Sequence, residues 1–164
     1  MKTLTIGKMR GLQQCATPAG RFTILALDHR NNMRRLLHPE NEDATRPEEI
    51  TSFKQEVLRG LGNVPSAYLL DPIFGAGQAI ARGSLPGQSG LLVAVDASGY
   101  VGDPTSRQSE LLEDWDVEKV KRLGASAVKL LVYYHPQAGP HNAIESLVER
   151  TAEACQKTDL PFFL

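Results

Sequence analysis

Long apolar runs, a cysteine framework and an excess of one charge are all missing from this chain, and each absence removes a class of protein. No stretch of the 164 residues approaches the roughly 20 apolar residues needed to cross a bilayer, and the opening MKTLTIGKMRG has no hydrophobic signal core. The two cysteines, Cys15 and Cys155, have no metal-ligand spacing and fit reduced thiols better than a disulfide scaffold. Eighteen basic against 19 acidic residues leave a formal net charge of −1, so no bulk attraction to nucleic acid or an anionic membrane is expected. No Walker or dinucleotide fingerprint occurs, and no repeat or low-complexity tract. The four histidines (His29, His38, His135, His141) are scattered. Only His135 and His141 lie near each other, in a loop holding Pro136 and Pro140, which argues against a metal site. What is left is a soluble, cytoplasmic protein with no expected cofactor or metal, 41% hydrophobic and long enough for one domain with a sizeable core.

Short apolar runs rich in strand formers recur along the chain. Phe22–Leu27 ends in Asp28-His29-Arg30, Ala67–Leu70 in Asp71-Pro72, and Leu91–Val95 in Asp96. A fourth run spans Ala127–Tyr134, and a fifth covers Leu160–Leu164. Helical patterns lie between them. Pro47–Leu61 opens with Pro and two acids, as helix starts prefer. Asp116–Leu123 ends at Gly124, a natural C-cap. In His141–Lys157, residues Ile144, Leu147, Val148, Thr151 and Cys155 fall near one face. Strand alternating with helix implies right-handed βαβ units and a parallel sheet. The glycines at Gly75-Ala76-Gly77 and from Gly83 to Gly90 are expected in flexible loops, where backbone can approach a phosphate but where most glycines are turns.

Lys129 interrupts the fourth apolar run, which otherwise reads as a buried parallel strand. A lysine there either snorkels to water or is held by a partner, because a desolvated ammonium alone is costly. Spacing favours neither outcome. Burial is also how lysines become nucleophiles or acid–base groups. Asp28, Asp71 and Asp96 each directly follow an apolar run. In a parallel α/β sheet or barrel those strand ends share one face, where ligand sites form. One such Asp is usually a cap or turn residue, but three in register beside a lysine weaken that reading. Asp71 is the weakest, since Asp-Pro opens turns. Asp96 precedes Ala97-Ser98-Gly99 and is equally a turn candidate. Asp28 is the strongest, opening the polar stretch Asp28-His29-Arg30-Asn31-Asn32. Tyr133 and Tyr134 cannot both face one side of a strand.

The segments ILALDHR, LLDPIFG, GLLVAVDASGY and WDVEKVKRLGASAVKLLVYYHP, with the terminal PFFL, occur in an order and spacing that resembles the tagatose-1,6-bisphosphate aldolases. These are class I lyases built on a (β/α)8 TIM barrel. The resemblance implies that Asp28 is the strand-one carboxylate used in proton transfer and Lys129 the strand-four lysine that contacts and polarises the substrate. His29, Arg30 and Asp71 are expected to bind substrate. His29 stands where many members have glutamine, and Asn31-Asn32 departs from the small residues usual after the Asp-x-Arg motif. The family's imine-forming lysine lies on the sixth strand, and its glutamate follows the fifth-strand Phe-Phe-Leu. Both positions fall beyond Leu164.

A (β/α)8 barrel needs roughly 250 residues, so residues 1–164 are expected to be the N-terminal part of a single barrel domain, covering about five strands. Alone, this part is expected to lack cleavage activity. The implied reaction is cleavage of a ketose 1,6-bisphosphate, such as tagatose 1,6-bisphosphate, to dihydroxyacetone phosphate and glyceraldehyde 3-phosphate. The expected partner is a small sugar phosphate, with no nucleic acid and no membrane, and a homo-oligomer is compatible with this. A sulfosugar-phosphate aldolase, a non-catalytic sugar-phosphate-binding barrel, a metal-dependent barrel lyase and a self-contained five-strand doubly wound domain stand as alternatives.

Overall fold

The computed structural model describes residues 4–97, 109–134 and 141–164, with His141 described by its backbone alone. His135, the His141 side chain and Ser98-Gly99 after Asp96 therefore lie outside the described residues. The elements run α1 (Ile6–Cys15), β1 (Ile24–Leu27), α2 (Asn31–Leu37), a 3-10 turn (Glu42–Ala44), α3 (Pro47–Leu61), β2 (Ala67–Leu70), α4 (Ala76–Ala81), β3 (Gly90–Ala94), α5 (Val117–Leu123), β4 (Ala127–Lys129), α6 (His141–Lys157) and β5 (Phe162–Phe163). All five strands are parallel and lie in sequence order, β1-β2-β3-β4-β5.

Alternation along the strands divides the core in two. One set of side chains, including Leu27, Tyr68, Leu70, Leu91, Val93 and Val128, packs under the helices against Ile50 and Leu58 of α3, Val120 of α5 and Leu147 of α6. Each such aliphatic side chain contributes about 1.5–3 kcal/mol by leaving water. The opposite set, Ala67, Leu69, Leu92, Ala94 and Ala127, gathers around Cys15 at the end of α1, with Ile24 and Phe163 beside it. This second face is concave. Strands about 4.8 Å apart would put β1 and β5 roughly 19 Å apart in a flat sheet. Instead Phe22, just before β1, meets Phe163 of β5 edge to face with ring centroids 5.5 Å apart.

Helix α1 closes the N-terminal end of this curl. Its N-cap Thr5 accepts a hydrogen bond from the Lys8 amide at 3.3 Å. Its C-terminal turn presses on the start of β3 so closely that a Cβ at Gly90 would stand 2.6 Å from the Gln14 carbonyl. No side chain fits there.

The three helices expected from periodicity and caps form, α3 and α6 with the expected bounds and α5 starting one residue later, at Val117, between its N-cap Asp116 and a left-handed Gly124. Three differences have physical causes. The fourth run ends its strand at Lys129 rather than Tyr134, because the Leu131 amide donates to the Asp96 side chain at 3.0 Å instead of continuing a ladder. The first and fifth runs pair over fewer residues, Ile24–Leu27 and Phe162–Phe163. Gly75-Ala76-Gly77 is not a flexible loop: it opens helix α4, with Gly75 at the N-cap. Among the described residues, no helix is long and apolar enough to cross a membrane.

Candidate active site

The C-terminal ends of the strands carry the charged groups. Register places Lys129 beside Ala94 of β3 and Phe163 of β5, while Asp28 and Asp71 each come one residue past the paired Leu27 and Leu70. In a flat sheet β1 and β4 would lie about 14 Å apart. The curl brings Lys129 Nζ to 2.9 Å from Asp28 Oδ2 and 3.0 Å from Asp96 Oδ1. Asp96 Oδ1 also accepts the Leu131 amide, fixing the carboxylate at the mouth of β4.

Lys129 is thus an ammonium held between two carboxylates, with 17% of its side chain exposed. Burial by itself works to lower its pKa, but the hydrogen bonds and charges of Asp28 and Asp96 together outweigh it, and the net shift is upward. A lysine protonated in this way is a hydrogen-bond donor and a positive charge. It is a poor nucleophile.

Arg30 lies beside this group, 4% exposed. One guanidinium nitrogen donates to the Asp96 backbone carbonyl and stands 3.9 Å from Asp96 Oδ2. Its Nε and Nη1 are buried with no hydrogen-bond partner among the described residues. A guanidinium edge left in that state favours an anionic acceptor. The His29 side chain is exposed, and what this residue brings inward is its carbonyl.

Asp71 is fully enclosed. Its Oδ1 accepts the amides of Ile73 and Phe74 at 2.9 and 2.7 Å, and its Oδ2 accepts from Lys54. The turn expected of Asp-Pro is present, and a buried ion pair is added to it. Of the residues expected at the site, the structure brings Asp28, Lys129 and Arg30 together, points His29 outward and sets Asp71 behind them.

Two further residues join the site. Asp96, a strand-end carboxylate that the sequence leaves equally open to a turn role, contacts both Lys129 and Arg30. Lys54 is the other, with no place among the residues expected from the sequence. Its ammonium donates to the His29 carbonyl at 2.7 Å and to Asp71, and its side chain has no exposure. The signal was present: Lys54 stands four residues after Ile50 and four before Leu58, both fully buried, so it occupies the core stripe of α3. Burial lowers the Lys54 pKa, against the opposing pull of Asp71, and the net shift is downward.

Comparison with known proteins agrees with this geometry. Residues 22–164 match the family model described as DeoC/LacD family aldolase. The chain is 34% identical to tagatose 1,6-diphosphate aldolase 2 of Enterococcus faecalis, over all of this chain and 49% of that protein. It is 32% identical to tagatose 1,6-diphosphate aldolase of Listeria monocytogenes, over all of this chain and 48% of that protein. The chain therefore spans about half the length of the curated relatives it matches. An archaeal fructose-1,6-bisphosphate aldolase, solved with its catalytic Lys covalently bound to the carbinolamine intermediate of the substrate, superposes with a TM-score of 0.56 at 25% identity, over 93% of this chain and 54% of that one. The five parallel strands and their helices correspond to an N-terminal partial TIM barrel.

Proposed function

The chain belongs to the DeoC/LacD aldolase family, and on that premise we propose that residues 1–164 are the N-terminal part of a single barrel domain in a class I aldolase. The substrate would be a ketose 1,6-bisphosphate such as tagatose 1,6-bisphosphate, cleaved to dihydroxyacetone phosphate and glyceraldehyde 3-phosphate. The observation that carries this reading is the Asp28–Lys129–Asp96 bridge at the mouth of the curl.

The chemistry follows from the state of each group. A lysine amine beyond residue 164 attacks the ketose carbonyl, and loss of water leaves a protonated imine. Asp28 removes the proton of the C4 hydroxyl as the C3–C4 bond breaks. The bonding pair flows into the imine to give an enamine, and the aldehyde phosphate leaves. A proton added at C3 restores the imine, and its hydrolysis then releases dihydroxyacetone phosphate. Lys129, held by its two carboxylates with its pKa shifted upward, donates to the substrate oxygen on which negative charge develops and is a poor nucleophile. Substrate binding draws Lys129 off Asp28, which frees Oδ2 to act as a base. The buried edge of Arg30, unpaired among the described residues, suits a phosphate oxygen, and His29 lines the entrance. Asp71 serves the substrate pocket from behind, through Lys54. Both thiols are buried and free, with burial raising each pKa to about 11. That fits a reducing cytoplasm, where we place the protein.

The test is the intact mass of the full-length protein after incubation with dihydroxyacetone phosphate and borohydride. One reduced phosphoketone adduct per chain, mapping to a lysine other than Lys129, is the expected result. Absence of an adduct, or an adduct on Lys129, overturns the mechanism.

A further inference from the structure

Lys54 and Asp71 form a fully enclosed ion pair. Such a pair is a poor device for stability, because desolvating two charges offsets most of their attraction, and apolar residues of similar volume often do as well or better. The stripe of α3 would accept one, since Ile50 and Leu58 flank Lys54 and are themselves fully buried. An apolar side chain could not donate to the His29 carbonyl. That carbonyl belongs to the peptide joining His29 to Arg30, directly after Asp28.

The other end of the pair is anchored. Asp71 takes the amides of Ile73 and Phe74 on one oxygen, and the backbone closes over it at Gly75, where a Cβ would stand 2.9 Å from the Asp71 carbonyl and 3.1 Å from Oδ2. A continuous set of contacts therefore runs from a locked turn after β2, through Lys54, to the peptide that follows Asp28 and carries Arg30. We propose that the Lys54–Asp71 pair is a positioning device for the Asp28–Arg30 segment, setting the Asp28 carboxylate against Lys129 and the Arg30 guanidinium against Asp96. The inference rests on the reading of Asp28 as the proton acceptor in aldol cleavage.

The experiment uses the full-length enzyme. Lys54→Met combined with Asp71→Asn removes both charges while Asn keeps an acceptor for the turn. The double variant is expected to fold and to lose about 100-fold in kcat, as expected when a reacting group is misplaced, with KM raised as well because Arg30 shifts with the same segment. Its yield of borohydride-reduced dihydroxyacetone phosphate adduct stays at the wild-type level, because adduct formation does not use Asp28. Lys54→Arg, which retains a cationic donor on the same stripe, recovers about tenfold over the double variant.

A folded double variant with wild-type kcat overturns the inference. So does a parallel loss of kcat and adduct, which would place the effect on the nucleophile. A wild-type protein that forms no adduct and cleaves nothing removes the aldolase reading and this inference together, and is distinguished from both. If the double variant does not fold, Lys54→Arg alone decides. It keeps a cation against Asp71 but shifts the donor from the His29 carbonyl. Its kcat then falls about tenfold below wild type with the adduct yield retained, and a wild-type kcat overturns the inference.

Discussion

Lys129 rises from the end of β4 with 17% of its side chain exposed between two carboxylates, whereas Lys54 comes from the middle of α3, is fully enclosed and meets one carboxylate and one carbonyl. Both ammonium groups sit at the same end of the sheet, and burial acts against the charged form of each. The outcome differs because opposing charges outnumber the loss of water at Lys129 and do not at Lys54, so the first pKa moves up and the second down. Accessibility decides what each can do. Lys129 can reach a ligand without unfolding anything, and Lys54 can act only through what it holds.

The largest effects should separate the two residues along different measurements. Lys129→Met in the full-length enzyme is expected to lower kcat about 1000-fold, the scale of removing a charge-stabilising donor. Stability should change by about 1–2 kcal/mol, because both carboxylates it leaves are partly open to the pocket. Lys54→Met is expected to cost about 3–5 kcal/mol in urea denaturation, since it strands the Asp71 charge in a dry site. Near-normal turnover in a folded Lys129→Met protein would sink the assignment of that residue. A Lys54→Met protein as stable as wild type would erase the contrast from the other side.

Asp28→Asn should give the next effect, a loss of about 100-fold in kcat from the missing proton acceptor. Its borohydride adduct with dihydroxyacetone phosphate should persist, because imine formation precedes the cleavage step. Loss of the adduct in this variant would mean that Asp28 acts on the nucleophile instead. Asp96→Asn is expected to be milder, about tenfold in kcat, because the amide oxygen still accepts from Leu131 while the backbone carbonyl still receives Arg30. Equal losses in the two variants would show that the carboxylates share one role.

The same contrast explains what the sequence made legible. Asp28 and Lys129 could be read from the chain because each is a polar residue against an apolar run, and strand order alone put them on one face. Their contact could not be read. It spans β1 to β4 and exists because the sheet curls, a property of side-chain volumes on the concave face rather than of any local pattern. Helices α3 and α5 are legible through proline, acidic and glycine signals at their ends, and α6 through its apolar face. Helices α2 and α4 did not: they are seven and six residues long, too short for a periodic signal. Helix α1 has a weak apolar face because its work is backbone packing against the strand starts. Lys54 hid for a different reason, being one charge within a helix that carries several.

The smallest expected effect is an opposed pair of slopes in alkaline stability. Lys54 has a folded-state pKa below its ordinary 10.5, so between the two values the unfolded chain keeps a proton that the folded chain has lost. Stability therefore rises with pH across that window, in proportion to the difference in bound protons. Lys129 has a folded-state pKa above 10.5, so from there upward the folded chain keeps a proton that the unfolded chain has lost, and stability falls as pH rises through the folded value. Urea midpoints measured from pH 8 to 11.5 should therefore show a shallow rise that turns over. In the Lys54→Met/Asp71→Asn protein the rising limb should flatten while the falling limb stays. In Lys129→Met the falling limb should weaken while the rise stays. A single variant that removed both limbs would mean that the two ammonium groups titrate as one system across the Asp28 segment that lies between them. That result would turn the contrast between a working lysine and a holding lysine into a coupling.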